Sequence, residues 1–113
     1  MKKIEFKVVK MEKGEFKYKE TLLNHLNSDD WSAAHPVKTI EDIDVAIKVS
    51  GVLKGDTDVE DVEDDTANYI CDMAASQLFR PGASTEALEV IRDFKEYFIE
   101  VKKAKSEKPA KKK

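Results

Sequence analysis

Residues 56–65, DTDVEDVEDD, set seven carboxylates in ten consecutive positions of a chain whose formal net charge is only −3. The alternate acids Asp56, Asp58 and Glu60 have the spacing with which a calcium loop begins. The demanding positions do not follow: the sixth, where a sharp turn needs glycine, is Asp61, and the twelfth, where a bidentate glutamate belongs, is Ala67. No metal site and no cofactor is expected. Other chemistry is equally thin. Cys71 is the only cysteine, and His25 and His35 are separated by a loop-like stretch. A Cys71, His25 and Asp72 grouping would need an electropositive setting to ionise the thiol, whereas the segment around Cys71 is acidic. Neither a glycine-rich phosphate loop, a G-x-S-x-G elbow nor a paired-histidine zinc spacing occurs. The expectation is a protein without catalytic residues.

The acidic run makes better sense as the start of a helix over about 62–78. Asp61 is placed to cap free amide groups, and Glu63, Asp64 and Asp65 fall in or just after the first turn, where the helix dipole favours each anion by about 0.3 to 1 kcal/mol. The acids then continue in register. Asp61, Asp65, Asn68 and Asp72 stand at i, i+4, i+7 and i+11, and Glu89, Asp93, Glu96 and Glu100 repeat that spacing further on. Each set forms one stripe away from the apolar face, giving two acidic ridges. Their ordinary meaning is a solvated outer surface. Their sharper meaning is mimicry of a nucleic-acid backbone, although one carboxylate per turn of about 5.4 Å is sparse beside one phosphate per roughly 3.4 Å of DNA strand.

The elements that must carry these residues follow from hydrophobic period. Ile4, Phe6 and Val8 alternate with charged residues, as do Phe16 and Tyr18, and Gly14 lies between them. This predicts an N-terminal β-hairpin with a loop a little longer than the tightest kind. Leu22, Leu23 and Leu26 make a short helical face. SDDWSAAHPV, residues 28–37, reads as a loop, in which Trp31 either pins the segment to the core or serves as an interface anchor. Thr39 opens the next helix, with Asp42 in the capping-box position, and Gly55 ends it. Along that helix Ile40, Ile43 and Ile47 form one stripe and Val45, Val49 and Val52 another. A helix apolar on two sides is expected to be sandwiched in the core, or else to lend one side to a partner; Val45, Val49 and Val52 are the candidate contact residues. Pro81 and Gly82 break the chain before a last helix capped by Ser84, with Ala87, Ile91, Phe94, Phe98 and Val101 at helical spacing.

Charge divides the chain. Residues 1–20 hold seven lysines against four glutamates, residues 21–100 hold six basic and eighteen acidic groups, and residues 101–113 hold seven lysines and one glutamate. The expected organisation is one domain over 1–100 followed by a flexible, disordered basic C-terminal tail over 101–113. Such a tail reads first as a solvated, solubilising extension; it could equally fold back on the acidic body or touch nucleic acid or an acidic surface without sequence preference. No apolar run approaches the roughly 18 residues of a membrane span, and the lysines of MKKIEFKVVK interrupt what a signal peptide keeps continuous. With a single cysteine, these features point to a cytoplasmic protein with no membrane association.

The order of these pieces resembles small, mostly uncharacterised proteins of tailed phages and prophages. In that group a lysine-rich hairpin leads into a T-L-x-x-x-L-L-N helix, then an amphipathic helix, an acid-x-V-x-acid stretch before another helix, a short break and a final helix. The corresponding pieces here are ETLLNHLN, TIEDIDVAIKVSGVLKG, DTDVEDVEDDTANYICDMAASQ and STEALEVIRDF. The resemblance covers most of residues 1–98; SDDWSAAHPV and the strongly acidic third helix start depart from it. It implies no catalytic residues. The combined expectation is an α+β fold, a β-hairpin packed on about four α-helices. Its function is non-enzymatic binding of a phage or host protein in virion assembly or host takeover, with self-association left open. The alternative is a nucleic-acid-linked regulator acting through the acidic ridges or the lysine tail.

Overall fold

The computed structural model describes residues 1–104 and has an α+β architecture. Its elements run β1 (Lys2–Glu5), β2 (Val8–Met11), β3 (Gly14–Lys17), α1 (Tyr18–Leu26), α2 (Asp29–Ala34), α3 (Ile40–Lys54), β4 (Val59–Val62), α4 (Asp64–Ser76) and α5 (Thr85–Lys103). Two small antiparallel sheets result, β1 with β4 and β2 with β3.

The N-terminal hairpin is present, but it is built from β2 and β3 and its loop is tight: Met11 pairs with Gly14, leaving Glu12 and Lys13 at the turn. Gly14 has φ 139°, a conformation that side-chain-bearing residues rarely adopt. The stretch from Ile4 to Val8 is not one strand. At Phe6 and Lys7 one ladder gives way to the other: Phe6 N–H donates to Asp58 O at 2.6 Å, extending the pairing of β1 with β4, and Lys7 O accepts from Tyr18 N–H at 2.9 Å, extending that of β2 with β3. Ile4 and Phe6 are therefore buried while Val8 is exposed.

β1 instead pairs with residues 59–62, with Lys3 opposite Asp61 and Ile4 opposite Glu60. Val59–Val62 is a strand and not the opening of a helix, and Asp61 caps nothing: it sits on the outer side across from a lysine, a favourable cross-strand pair. α4 begins one element later, with Asp64 and Asp65 in its first turn. The SDDWSAAHPV stretch, expected as loop, contains the short helix α2, whose N-cap Ser28 accepts from Trp31 N–H at 3.3 Å.

The core gathers around aromatic rings from three elements. Phe94 of α5 meets Tyr18 edge to face at 4.9 Å, Phe98 at 5.2 Å and Phe16 at 5.4 Å between centroids. Lysines close the helix ends. The Lys2 ammonium, on the inward phase of β1 with Ile4, donates to the Val101 and Lys102 carbonyls at 3.2 and 2.9 Å, and Lys95 donates to those of Ala75 and Gln77 at 2.9 and 2.8 Å. Cations at these C-terminal carbonyls suit the helix dipole. α5 runs past residue 100 to Lys103 with Val101 buried and Ala104 as its C-cap, so the expected flexible tail does not begin at 101; residues 105–113 lie outside the described residues. No helix is long and apolar enough to cross a membrane among the described residues.

Candidate functional site

α3 is the helix whose two sides differ most from expectation. Its start is fixed by a full capping box: Thr39 Oγ1 accepts from Asp42 N–H at 3.0 Å, and Asp42 Oδ2 accepts from Thr39 N–H at 3.2 Å and Lys38 N–H at 3.1 Å. Those backbone donors, Lys38 first and Thr39 after it, hold the Asp42 carboxyl below its ordinary range. Its end is fixed at Gly55, where an added Cβ would come within 3.0 Å of Glu60 Oε2. Glu60 is itself gripped by the Thr57 hydroxyl at 2.6 Å and the Lys19 ammonium at 3.1 Å, which together hold its carboxyl below the usual range. Lys19 also donates to the carbonyls of Gly55, at 3.0 Å, and Thr57. α3 is thus held at both ends.

Between those ends the valine stripe faces inward. Val49 is 0% exposed, and Val45 and Val52 are half-buried against the core, where α3 packs on α1 and α4. These three residues hold the fold together and are not a free contact surface, which corrects their expected role. Val45 lines a cavity of about 340 Å³ with Pro36, Val37 and Tyr69, and Val52 lines another of about 350 Å³ with Lys48 and Gly51. Trp31 is likewise buried, at 4% exposure, so it pins α2 and is not an exposed anchor. Its Nε1–H donates to Tyr69 Oη at 3.0 Å, and the His35 ring stacks on it at 3.6 Å.

The isoleucine stripe faces water. Ile40, Ile43 and Ile47 are 77%, 45% and 63% exposed, and Val37 just before the helix is exposed too. Other apolar side chains are exposed elsewhere, but Leu88 and Ile99 of α5 stand about three turns apart, whereas these isoleucines occupy two consecutive turns of one side. Fully burying one such side chain is worth about 1.5 to 3 kcal/mol, so three left in water forgo a large stabilisation.

The acidic candidates separate. Glu89, Asp93, Glu96 and Glu100 are all exposed on α5, as their spacing predicts. The other ridge is broken: Asp61 belongs to β4, leaving Asp65, Asn68 and Asp72 on α4, and Asp72 Oδ1 accepts from Lys102 Nζ at 2.6 Å. Among the described residues no group of three or more His, Cys, Asp or Glu could hold a metal ion. Cys71, His25 and Asp72 do not form a unit. Burial pushes the Cys71 thiol up to about 11, His25 faces Ser76 Oγ at 3.3 Å and Ser28 Oγ at 3.4 Å, and Asp72 turns to Lys102.

A lysine-rimmed cleft of about 390 Å³, floored by Phe6, Tyr18, Leu23 and Leu53, is another concave feature. Of its rim lysines, Lys7 lies 4.9 Å over the Tyr97 ring, Lys17 is 3.9 Å from Glu15 Oε1 and Lys19 is committed to the α3 end. Three of its four rim lysines are thus engaged within the chain, and Lys54 is the fourth. The feature that sequence reasoning assigned to the interior, and that the structure leaves uncovered, is the isoleucine side of α3. No protein-family model, no curated protein and no solved structure matches this chain.

Proposed function

We propose that this protein acts by binding another protein, without catalysis, and that the outer side of α3 is the contact surface. The observation that carries this reading is the exposure of Ile40, Ile43 and Ile47 on a helix capped at both ends. A rigid helix presenting i, i+3 and i+7 anchors is the pattern that helix-in-groove recognition and helix pairing both use. Because the helix is already ordered, binding through it costs little further entropy. The resemblance of the sequence to tailed-phage and prophage proteins supports a phage or host partner, in virion assembly or host takeover within the host cytoplasm.

A photo-crosslinking residue placed at Ile47 tests this in cells producing the full chain. The expected result is a discrete protein adduct that disappears when Ile43→Asp is added. Absence of any adduct at 47, with a strong one from the same residue placed at Glu89, contradicts the reading.

The uninterrupted exposure of Glu89, Asp93, Glu96 and Glu100 supports a second reading, in which α5 attracts a basic protein groove that normally grips phosphates. Partner binding that moderate salt abolishes, and that neutralising Glu89, Asp93 and Glu96 removes, favours this alternative. Binding that survives salt and depends on α3 favours the first.

A further inference from the structure

We infer that the α3 isoleucine side is covered by a second copy of this chain, the two α3 helices lying antiparallel across a two-fold axis at the level of Ala46 along the helix; this rests on reading that side as the protein contact. A two-fold interface must be self-complementary, and α3 is so in both charge and shape. At about 100° and 1.5 Å per residue, Asp44, Lys48 and Gly51 lie on one flank of the Ile40 line, and Ile43 and Ile47 on the other. Asp44 and Lys48 are equidistant from Ala46, so antiparallel packing sets Asp44 level with Lys48 of the other copy, and does so twice. Parallel packing would put the Asp44 and Lys48 flanks of the two copies on opposite sides of the seam, where neither charged pair forms. Lys48 is free to share its charge: its present partner, Glu63 at 2.7 Å, is half-exposed like itself, and such surface pairs contribute little.

The same register interleaves the side chains. Along the seam come Ile40 of one copy, Gly51 of the other, then Ile43, then Ile47 of the other, and the sequence repeats in reverse beyond the axis. Gly51 is on the exposed side, and a Cβ placed there would meet nothing within 4 Å, so its bare backbone leaves room beside Ile40. The seam is short. An interface built on it falls at or below the roughly 1,200 Å² of small specific contacts, so the dimer is weak and dissociates on dilution.

Cysteine crosslinking of the full chain tests the register. The native Cys71 is buried and does not compete. Ile47→Cys puts two thiols about 3 Å apart along the helix axis, whereas Ile40→Cys separates them by about 18 Å, beyond the Cα separation of about 4.4 to 6.8 Å that a disulfide spans. Mild oxidation is expected to convert Ile47→Cys to disulfide dimer as the main product. Ile40→Cys stays at the level of the unmodified chain, and a mixture of Ile40→Cys with Gly51→Cys crosslinks. Equal crosslinking of Ile40→Cys and Ile47→Cys overturns the antiparallel register, and no crosslinking of Ile47→Cys at high concentration overturns self-association. In that last case, an intact photo-adduct to a different protein at position 47 leaves the protein-binding reading standing, while its absence removes both.

Discussion

α5 and α3 are both held by lysines and caps, yet they finish their outer sides differently. α5 buries Phe94, Phe98 and Val101 and turns Glu89, Asp93, Glu96 and Glu100 to water, so solvent completes it. α3 buries Val49 and Leu53 and turns Ile40, Ile43 and Ile47 to water, so solvent does not. The difference separates residues that serve the fold from residues that await something outside it. Burial decides this and hydrophobicity alone does not, because the two stripes of α3 are equally aliphatic.

The sharpest way to break that comparison is to put the same charge on each side of α3. Val49→Asp buries a carboxylate with no partner, a cost of several kcal/mol, and is expected to abolish the cooperative unfolding transition. Ile47→Asp should leave the free energy of unfolding in urea within about 0.5 kcal/mol of the parent while removing association. Equal damage from both would show that α3 has no outer side.

On α5 the corresponding contrast is Phe94→Ala against Glu96→Ala. Removing the ring at the centre of the aromatic cluster is expected to cost about 3 to 5 kcal/mol in equilibrium unfolding, and removing the exposed glutamate almost nothing. A smaller loss of about 1 to 3 kcal/mol is expected from Lys2→Met, which removes the buried ammonium from the Val101 and Lys102 carbonyls, Val101 keeping only Ala104 N–H. Unchanged stability there would mean that the lysine cap of α5 contributes nothing.

The smallest effect concerns pH. Burial, opposed by Asp30, holds the His25 imidazole below its ordinary value of 6.5, so the folded chain binds fewer protons than the unfolded chain just under that pH. Stability therefore falls as pH drops below 6.5 and levels off below the folded value. Comparing unfolding at about pH 7.5 and about pH 5.5 should show this loss in the parent and a reduced loss in His25→Gln. An identical pH dependence in both would assign the loss to other groups.

What could be read from the sequence was what is local. The Thr39 capping box, the stop at Gly55, the Ser84 cap and the α5 acidic stripe depend on residues within a few positions of one another, and all are present. What could not be read depends on distant partners. Val59 and Val62 fit a helical spacing as well as a strand, and only β1, far away in the chain, makes them a strand. Nothing in α3 itself says which stripe α1 and α4 will cover. The burial of Lys2 had one available signal, its phase with Ile4 on an alternating strand, which places its ammonium inward toward the end of α5.

Isoleucine methyl NMR with a soluble paramagnetic probe tests the central claim most directly, because the chain carries isoleucines of every kind. In dilute protein the Ile40, Ile43 and Ile47 methyls, like that of Ile99, should be broadened while those of Ile4 and Ile70 stay sharp. As protein concentration rises, the account predicts that the three α3 signals become protected and Ile99 does not. Sharp α3 methyls at every dilution, or broadening that tracks Ile99 throughout, would contradict it.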